Sequence, residues 1–224
     1  MLRLLKTKDN SFTVYNEVLN ETYHSRHGAV QESRHVFIRN GLGPMLRSQK
    51  QIDILEIGFG TGLNALLSYL EFEKASSDIL YTGAEPFPLD TGIISALNYP
   101  EALSLNENQS STYFRMQEGK AIIENIQHSR FQFELIRQEF LQCRFEKQFD
   151  LVYFDAFAPD KQPDMWSRDV FTRCHELLRE NGMLVTYCAK GEVKRTLKAC
   201  GFKVETLPGP PGKREMIRAI KIYC

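Results

Sequence analysis

The stretch DILEIGFGTGLNAL (53–66) constrains the fold more than any other part of the chain. Residues 51–58 form a nearly continuous apolar run, as a strand covered on both faces requires. Gly58, Gly60 and Gly62 follow at alternate positions, and a helical pattern over 61–74 starts at once. Glycines at such a junction permit a tight turn and let a ligand approach the backbone. The first turn of the helix presents N–H groups with no partner inside the helix.

The rest of the chain continues this alternation. Strands are predicted at 78–86, 131–140, 149–157, 183–189, 202–207 and 215–223, and helices at 91–103, 119–129, 167–182 and 192–201. Strands that alternate with helices imply an α/β fold, a mostly parallel sheet with helices on both faces. The last two strands are separated only by PGPPGKR (208–214), so they should form an antiparallel hairpin at the sheet edge. Ahead of the sheet, SFTVYNEVLNETY (11–23) reads as a small β-hairpin. Residues 29–46 read as a helix that stops at Gly41-Leu-Gly-Pro. The expected organisation is an N-terminal hairpin and helix extension, 1–45, packing over the site of a larger domain, 46–224. The 224 residues suffice for one sizeable α/β domain with its own core.

Composition excludes more than it selects. Lys plus Arg number 28 and so do Asp plus Glu, so global charge gives no support for nucleic-acid binding and leaves only a local patch open. The five cysteines, Cys143, Cys174, Cys188, Cys200 and Cys224, include no CxxC pair and read as reduced thiols. His24, His27 and His35 lack metal-ligand spacing, so no metal is expected. No apolar run approaches the ~20 residues of a membrane span. The opening MLRLLKTKDNS is too short in apolar residues for a signal peptide. The expectation is a soluble, cytoplasmic protein.

The glycine loop also narrows the ligand. A dinucleotide fingerprint would place its third glycine at position 63, which is Leu63. The pattern from Glu56 to Gly62, E-x-G-x-G-x-G, resembles instead the loop of S-adenosylmethionine (SAM) methyltransferases. Such enzymes hold the ribose hydroxyls with an acid at the end of the second strand. Glu85 of YTGAEP stands there, and a carboxylate can accept from two neighbouring hydroxyls. Glu139, after the third strand, is a candidate for the adenine side. The structural alternative is a strand-to-helix turn that holds no ligand.

YFDAFAPDKQPDMW (153–166) ends a buried strand at Asp155. Ligands of open α/β sheets bind at the carboxyl ends of strands, which would put Asp155 beside the sulfonium. Alone, such an aspartate is an ordinary turn residue. Asp-x-Phe-x-Pro, however, loosely resembles the Asp-Pro-Pro-aromatic loop of amino-group methyltransferases. An amine attacks a methyl sulfonium only as the free base, with its lone pair in line, and a carboxylate can orient it and take its proton. Phe157 and Trp166 are either stacking faces for a base or core rings. Pro159 and Pro163 stiffen the loop.

Several stretches together resemble one family. They are NETYHSRHGAVQESRHVFI (20–38), ILEIGFGTGLNAL (54–66), FDLVYFDAFAPDKQPDMW (149–166), KGEVKRTLKACGF (190–202) and GPPGKREM (209–216). The family is the MnmC-type methyltransferases, which make 5-methylaminomethyl-2-thiouridine in tRNA. The resemblance implies a Rossmann-like class I SAM methyltransferase. It would move one methyl from SAM to the primary amine of 5-aminomethyl-(2-thio)uridine at the tRNA wobble position. It further implies that Glu56, Gly58, Gly60, Gly62 and Glu85 bind SAM and that Asp155 faces the amine. Tyr23, Ser25 and Glu32 would fold over the cofactor; their alternative is a plain role in the hairpin and helix start. The larger bacterial form carries an FAD-dependent oxidase domain. This chain is expected to be the stand-alone methyltransferase, with a separate enzyme supplying the aminomethyl group. Lys213 and Arg214, on the glycine-proline loop of a basic C-terminal third, are expected to reach phosphates. The rival readings are an aminopropyltransferase or small-amine N-methyltransferase of the same fold, and a non-catalytic SAM- or RNA-binding module.

Overall fold

The computed structural model describes residues 1–125 and 128–222. The chain opens with a small antiparallel sheet of β1 (Leu2–Lys6), β2 (Phe12–Asn16) and β3 (Glu21–Thr22), in that order. The expected hairpin is therefore β2–β3, with β1 added on its outer side. Asp9, in the β1–β2 turn, accepts from Gln31 N at 2.9 Å and Ser11 N at 3.1 Å. It thus satisfies a free N–H in the first turn of α1 (Ala29–Ser33). A π-helical stretch, Arg34–Leu42, leads into α2 (Gly43–Leu46) with helical backbone throughout. Gly41-Leu-Gly-Pro, predicted as a stop, lies inside this run. Pro44 has no N–H to continue an i→i−4 ladder, and wide turns precede it. Gly41 lets the helix lie close to the sheet, since a Cβ there would sit 3.2 Å from Val185 and 3.3 Å from Tyr153.

The main sheet begins with β4 (Gln51–Ile57), α3 (Leu63–Phe72) and β5 (Asp78–Ala84). Next come α4 (Thr91–Ala96), α5 (Tyr99–Ala102), α6 (Glu107–Glu118), β6 (Lys120–Glu124) and β7 (Arg130–Ile136). The chain closes with β8 (Phe149–Phe154), α7 (Arg168–Leu177), β9 (Leu178–Thr186), α8 (Gly191–Ala199), β10 (Phe202–Pro208) and β11 (Glu215–Lys221). The strand order is β10-β11-β9-β8-β4-β5-β7-β6. Strands β9, β8, β4, β5 and β7 are parallel, and β6 and β11 run against their neighbours. The C-terminal hairpin sits at the edge as expected, with β11 as its inner strand. The order reverses at β4, so the carboxyl ends of β4, β5 and β8 open onto one crevice, where such sheets bind ligands. Apolar residues pack on both faces: Tyr81, Phe131, Phe133 and Tyr153 in one core, and Leu55, Phe154, Trp166 and Phe171 in the other.

One prediction fails outright. The helix expected at 119–129 is strand β6, and residues 126 and 127 of that segment lie outside the described residues. The helix precedes it, as α6. Asn106 and Gln109 form a reciprocal capping box at its start, and Gly119, with φ of 114°, ends it. Strand β6 then pairs along its length with β7, the next strand, as an antiparallel hairpin that the helical periodicity read over 119–129 does not reveal. The helix expected at 91–103 is split into α4 and α5 by Leu97 and Asn98, and the Asn98 side chain bonds Phe12 N and Asn10 O of the N-terminal sheet. Tyr223 and Cys224 lie outside the described residues. Cys143, Cys174, Cys188 and Cys200 are free thiols. Among the described residues no helix is long and apolar enough to cross a membrane.

Candidate active site

The turn after β4 is built so that two strands can end side by side. Asp155 N donates to Ile57 O at 2.9 Å, and a Cβ on Gly58 would lie 2.7 Å from the Asp155 carbonyl oxygen. Gly58 also has φ of +87°, so any side chain there meets both strain and collision. Gly62 heads α3, and a Cβ there would strike Phe59 and Gln117. The loop is braced from behind. Buried Tyr113 and half-buried Gln117, both on α6, donate to Thr61 O at 3.0 and 3.2 Å, and buried Tyr99 on α5 donates to Thr61 Oγ1 at 3.1 Å.

In front of the loop lies a cavity of about 690 Å³. Its walls include Gly58, Gly60 and Thr61 from the loop, Glu85 and Phe87 after β5, Glu139 and Phe140 after β7, and Asp155 and Phe157 after β8. Tyr23 and His24 close it on the side of the N-terminal sheet. Glu85 is held by backbone: Phe87 N donates to Oε1 at 2.9 Å and Gly60 N to Oε2 at 3.2 Å. Burial raises its pKa while these two donors pull against the rise. Each oxygen has a further lone pair for a diol. The ring of Tyr23 packs edge-on against Phe157, with centroids 4.9 Å apart, and lies over Gly60. Burial and the neighbouring Glu85 charge push its phenol up to about 12, so it stays protonated. The cavity, its backbone-fixed acid and the close approach to the glycine backbone fit an adenosyl ligand with its ribose on Glu85.

Asp155 stands on the wall of this cavity. Asn64, on the first turn of α3, donates through Nδ2 to Asp155 Oδ2 and to Glu56 Oε1, both at 2.8 Å. Tyr81 donates to the other oxygen of Glu56 at 2.8 Å. Burial pushes Asp155 up to about 7, and the Glu32 carboxylate adds to the rise. The Asn64 donation and the Lys213 ammonium oppose it. Burial also holds Glu56 well above the carboxylate range, against the donations of Asn64 and Tyr81.

A second cavity, about 370 Å³, shares Tyr23 and His24 with the first. Glu32, Tyr187, Lys213, Ser25 and Arg26 are among its walls. Lys213 Nζ lies 2.5 Å from Glu32 Oε1 and 3.8 Å from the centroid of the Tyr187 ring. Ser25 N donates to Glu32 Oε2 at 2.7 Å. His24 is buried, its Nδ1 has no hydrogen-bond partner in the protein, and burial lowers its pKa to about 4, so the imidazole is neutral.

The residues singled out in the sequence separate accordingly. Gly58, Gly60, Glu85, Glu139, Tyr23, Asp155 and Phe157 meet at the first cavity. Ser25, expected there, lines the second. Glu56 and Gly62 stand behind the wall. Trp166 is core: its indole donates to Phe157 O at 2.7 Å and its ring packs on Phe154 and Phe171. Pro159 is buried and lines neither cavity, and Arg214 is exposed on the β10–β11 turn. Lys213, expected to reach phosphates, is turned inward onto Glu32 and Tyr187. Sequence reading missed Asn64, His24 and Tyr187. Only Asn64 had a local signal, as a polar side chain in the first turn of a mostly apolar helix.

Residues 101–222, more than half the chain, match the model of a family described as S-adenosyl-L-methionine-dependent methyltransferase. The chain is 31% identical over 222 residues to the tRNA 5-methylaminomethyl-2-thiouridine biosynthesis bifunctional protein MnmC of Leptospira interrogans serovar Lai, covering 94% of this chain and 34% of that protein. It is 29% identical over 214 residues to the protein of the same description from Azoarcus sp. strain BH72, covering 92% and 34%. The chain thus spans about a third of the length of the curated relatives it matches. Among solved structures, MNMC2 from Aquifex aeolicus superposes with a TM-score of 0.82 at 24% identity, over 98% of this chain and 70% of that one, which establishes the shared fold. With a glycine loop, a backbone-held acid and a strand-end aspartate around one cavity, and with the family match over more than half its length, the chain belongs to the S-adenosyl-L-methionine-dependent methyltransferases.

Proposed function

We propose that the protein transfers a methyl group from SAM to the primary amine of 5-aminomethyl-(2-thio)uridine at the wobble position of tRNA. The observation that carries this reading is the place of Asp155, a carboxylate with a pKa of about 7 on the wall of the cofactor cavity and in the field of Glu32 and Lys213, which line a second, polar cavity. A methyl-accepting amine must be the free base with its lone pair aimed at the donor. A carboxylate near pKa 7 is matched to receive its proton at physiological pH. The curated relatives, whose names carry this tRNA product, support the choice of acceptor.

In this reading Gly58, Gly60 and Glu85 hold SAM, with Glu139 and Tyr23 beside them, and bound SAM supplies an activated methyl on its sulfonium. Asp155 accepts a hydrogen bond from the amine and fixes its lone pair in line. It then takes the proton released as the N–C bond forms and the S–C bond breaks, leaving a secondary amine and S-adenosylhomocysteine. Residues 1–45 act as a cover that brings Tyr23 and His24 over the site. The aminomethyl group comes from a separate active site, and the reaction takes place in the cytoplasm with tRNA. An aminopropyltransferase would want an acidic groove for a polyamine; here Glu32 is already paired with Lys213.

The test is transfer of labelled methyl from SAM to tRNA bearing 5-aminomethyluridine, read by nucleoside mass spectrometry with unmodified transcript as control. Label found only in 5-methylaminomethyluridine is the expected result. No label, with SAM binding measured separately, would direct the search to small amines.

A further inference from the structure

The cofactor reading accounts for the first cavity and leaves the occupant of the second unassigned. That cavity is an unusual combination of groups. It joins the cofactor cavity through Tyr23 and His24. Glu32 and Lys213, on its wall, act directly on the Asp155 charge. They come from opposite ends of the chain and meet as a half-buried pair, with Glu32 also held by Ser25 N. His24 is buried at the junction with one ring nitrogen lacking any protein partner. Tyr15, Tyr23 and Tyr187 supply rings, and Arg26, exposed at the rim, sits 5.7 Å from the Tyr15 centroid.

We propose that the second cavity receives the uracil ring of the acceptor nucleoside, with Lys213 and Glu32 reading its polar edge and Arg26 meeting the flanking phosphate. The inference rests on the tRNA reading above and assigns it a place. Uracil offers carbonyl acceptors flanking an N–H donor, and an ammonium beside a carboxylate is complementary to such an edge. A ring substituent at C5 would then pass the Tyr23–His24 junction to Asp155, approaching the methyl donor from the side opposite the cofactor, as in-line transfer requires. The cavity, at about 370 Å³, falls within the range of small-ligand sites. The arrangement gives a role to the N-terminal motif and the β10–β11 turn at once, since the pair Glu32–Lys213 exists only when both are in place.

The test fills or neutralises the second cavity in the full chain. Thr22→Trp places bulk in a position that lines this cavity and not the cofactor cavity. Lys213→Met keeps the stem and removes the charge. Each is assayed for SAM affinity by calorimetry and for kcat/KM with tRNA bearing 5-aminomethyluridine. The expected result is a loss of about 100-fold in kcat/KM for tRNA by Thr22→Trp and about 10-fold by Lys213→Met, with SAM affinity within about threefold of wild type. Unchanged kcat/KM in either variant, with wild type active, overturns the assignment of the cavity. Wild type that leaves this tRNA unmethylated while binding SAM overturns the tRNA reading instead. If Thr22→Trp fails to fold, as circular dichroism would show, Lys213→Met alone decides.

Discussion

The two cavities that share Tyr23 and His24 are made of different material. The cofactor side is backbone. Its glycines lie against Asp155 O and Phe59, its acid is fixed by two N–H groups, and Tyr99 and Tyr113 brace the loop from the core. The far side is made of long side chains from distant segments: Glu32, Tyr187 and Lys213 are joined by an ion pair and a cation–π contact, and Arg26 stands over Tyr15. Backbone walls cannot adjust without strain, whereas charged side chains can repack and remain sensitive to salt. Under the proposed function, the difference suits a small invariant donor on one side and a large, flexible polyanion on the other.

Substitutions break the comparison in a graded way. The largest effect is expected at the junction. Asp155→Asn preserves shape and the Asn64 donation but removes the proton acceptor. Single-turnover rates should fall about 10²–10⁴-fold, while SAM affinity, by calorimetry, stays within about threefold. A normal rate would remove Asp155 from the chemistry. On the cofactor side, Glu85→Ala deletes a charged acceptor for two hydroxyls and frees two backbone donors. A cost of about 1.5–3 kcal/mol, or roughly 10–100-fold in Kd for SAM, is expected; equal affinity would mean that the ribose lies elsewhere.

Asn64→Ala sharpens the picture at the hinge between them. In its proposed role Asp155 takes a proton only when ionised, so kcat should fall as pH drops through about 7. Asn64 is one of the groups holding that pKa down. Without it the acid limb should move to higher pH, with kcat at neutral pH reduced about tenfold and KM for SAM little changed. A lower kcat with an unmoved limb would leave Asn64 a packing residue. The smallest expected effect is that of salt. Raising ionic strength should weaken tRNA binding several-fold and leave SAM affinity nearly constant, because only the far side relies on exposed charge. Parallel salt responses would dissolve the distinction.

The same division decided what could be read from the sequence. The strand, glycine turn and helix at 51–74 are local, and each glycine answers a local steric demand, so cavity, acid and strand-end aspartate were legible together. The α6–β6 region was not, because β6 exists through pairing with β7 and its helix is announced only by the caps Asn106 and Gly119. Lys213 was legible as a cation on a turn. That it turns inward to Glu32, across most of the chain, is a tertiary fact without a local signature. Trp166 reads equally as stacking face or core, and packing against Phe154 and Phe171 made it core.

The most direct test of the two-sided site is a crystal structure with S-adenosylhomocysteine and the nucleoside 5-aminomethyluridine bound together. The account predicts the ribose diol on Glu85, the sulfur facing Asp155, the uracil ring among Tyr187, Lys213 and Glu32, and the amine on Asp155 between them. Sulfur turned away from Asp155, or nucleoside and cofactor sharing the first cavity, would contradict it.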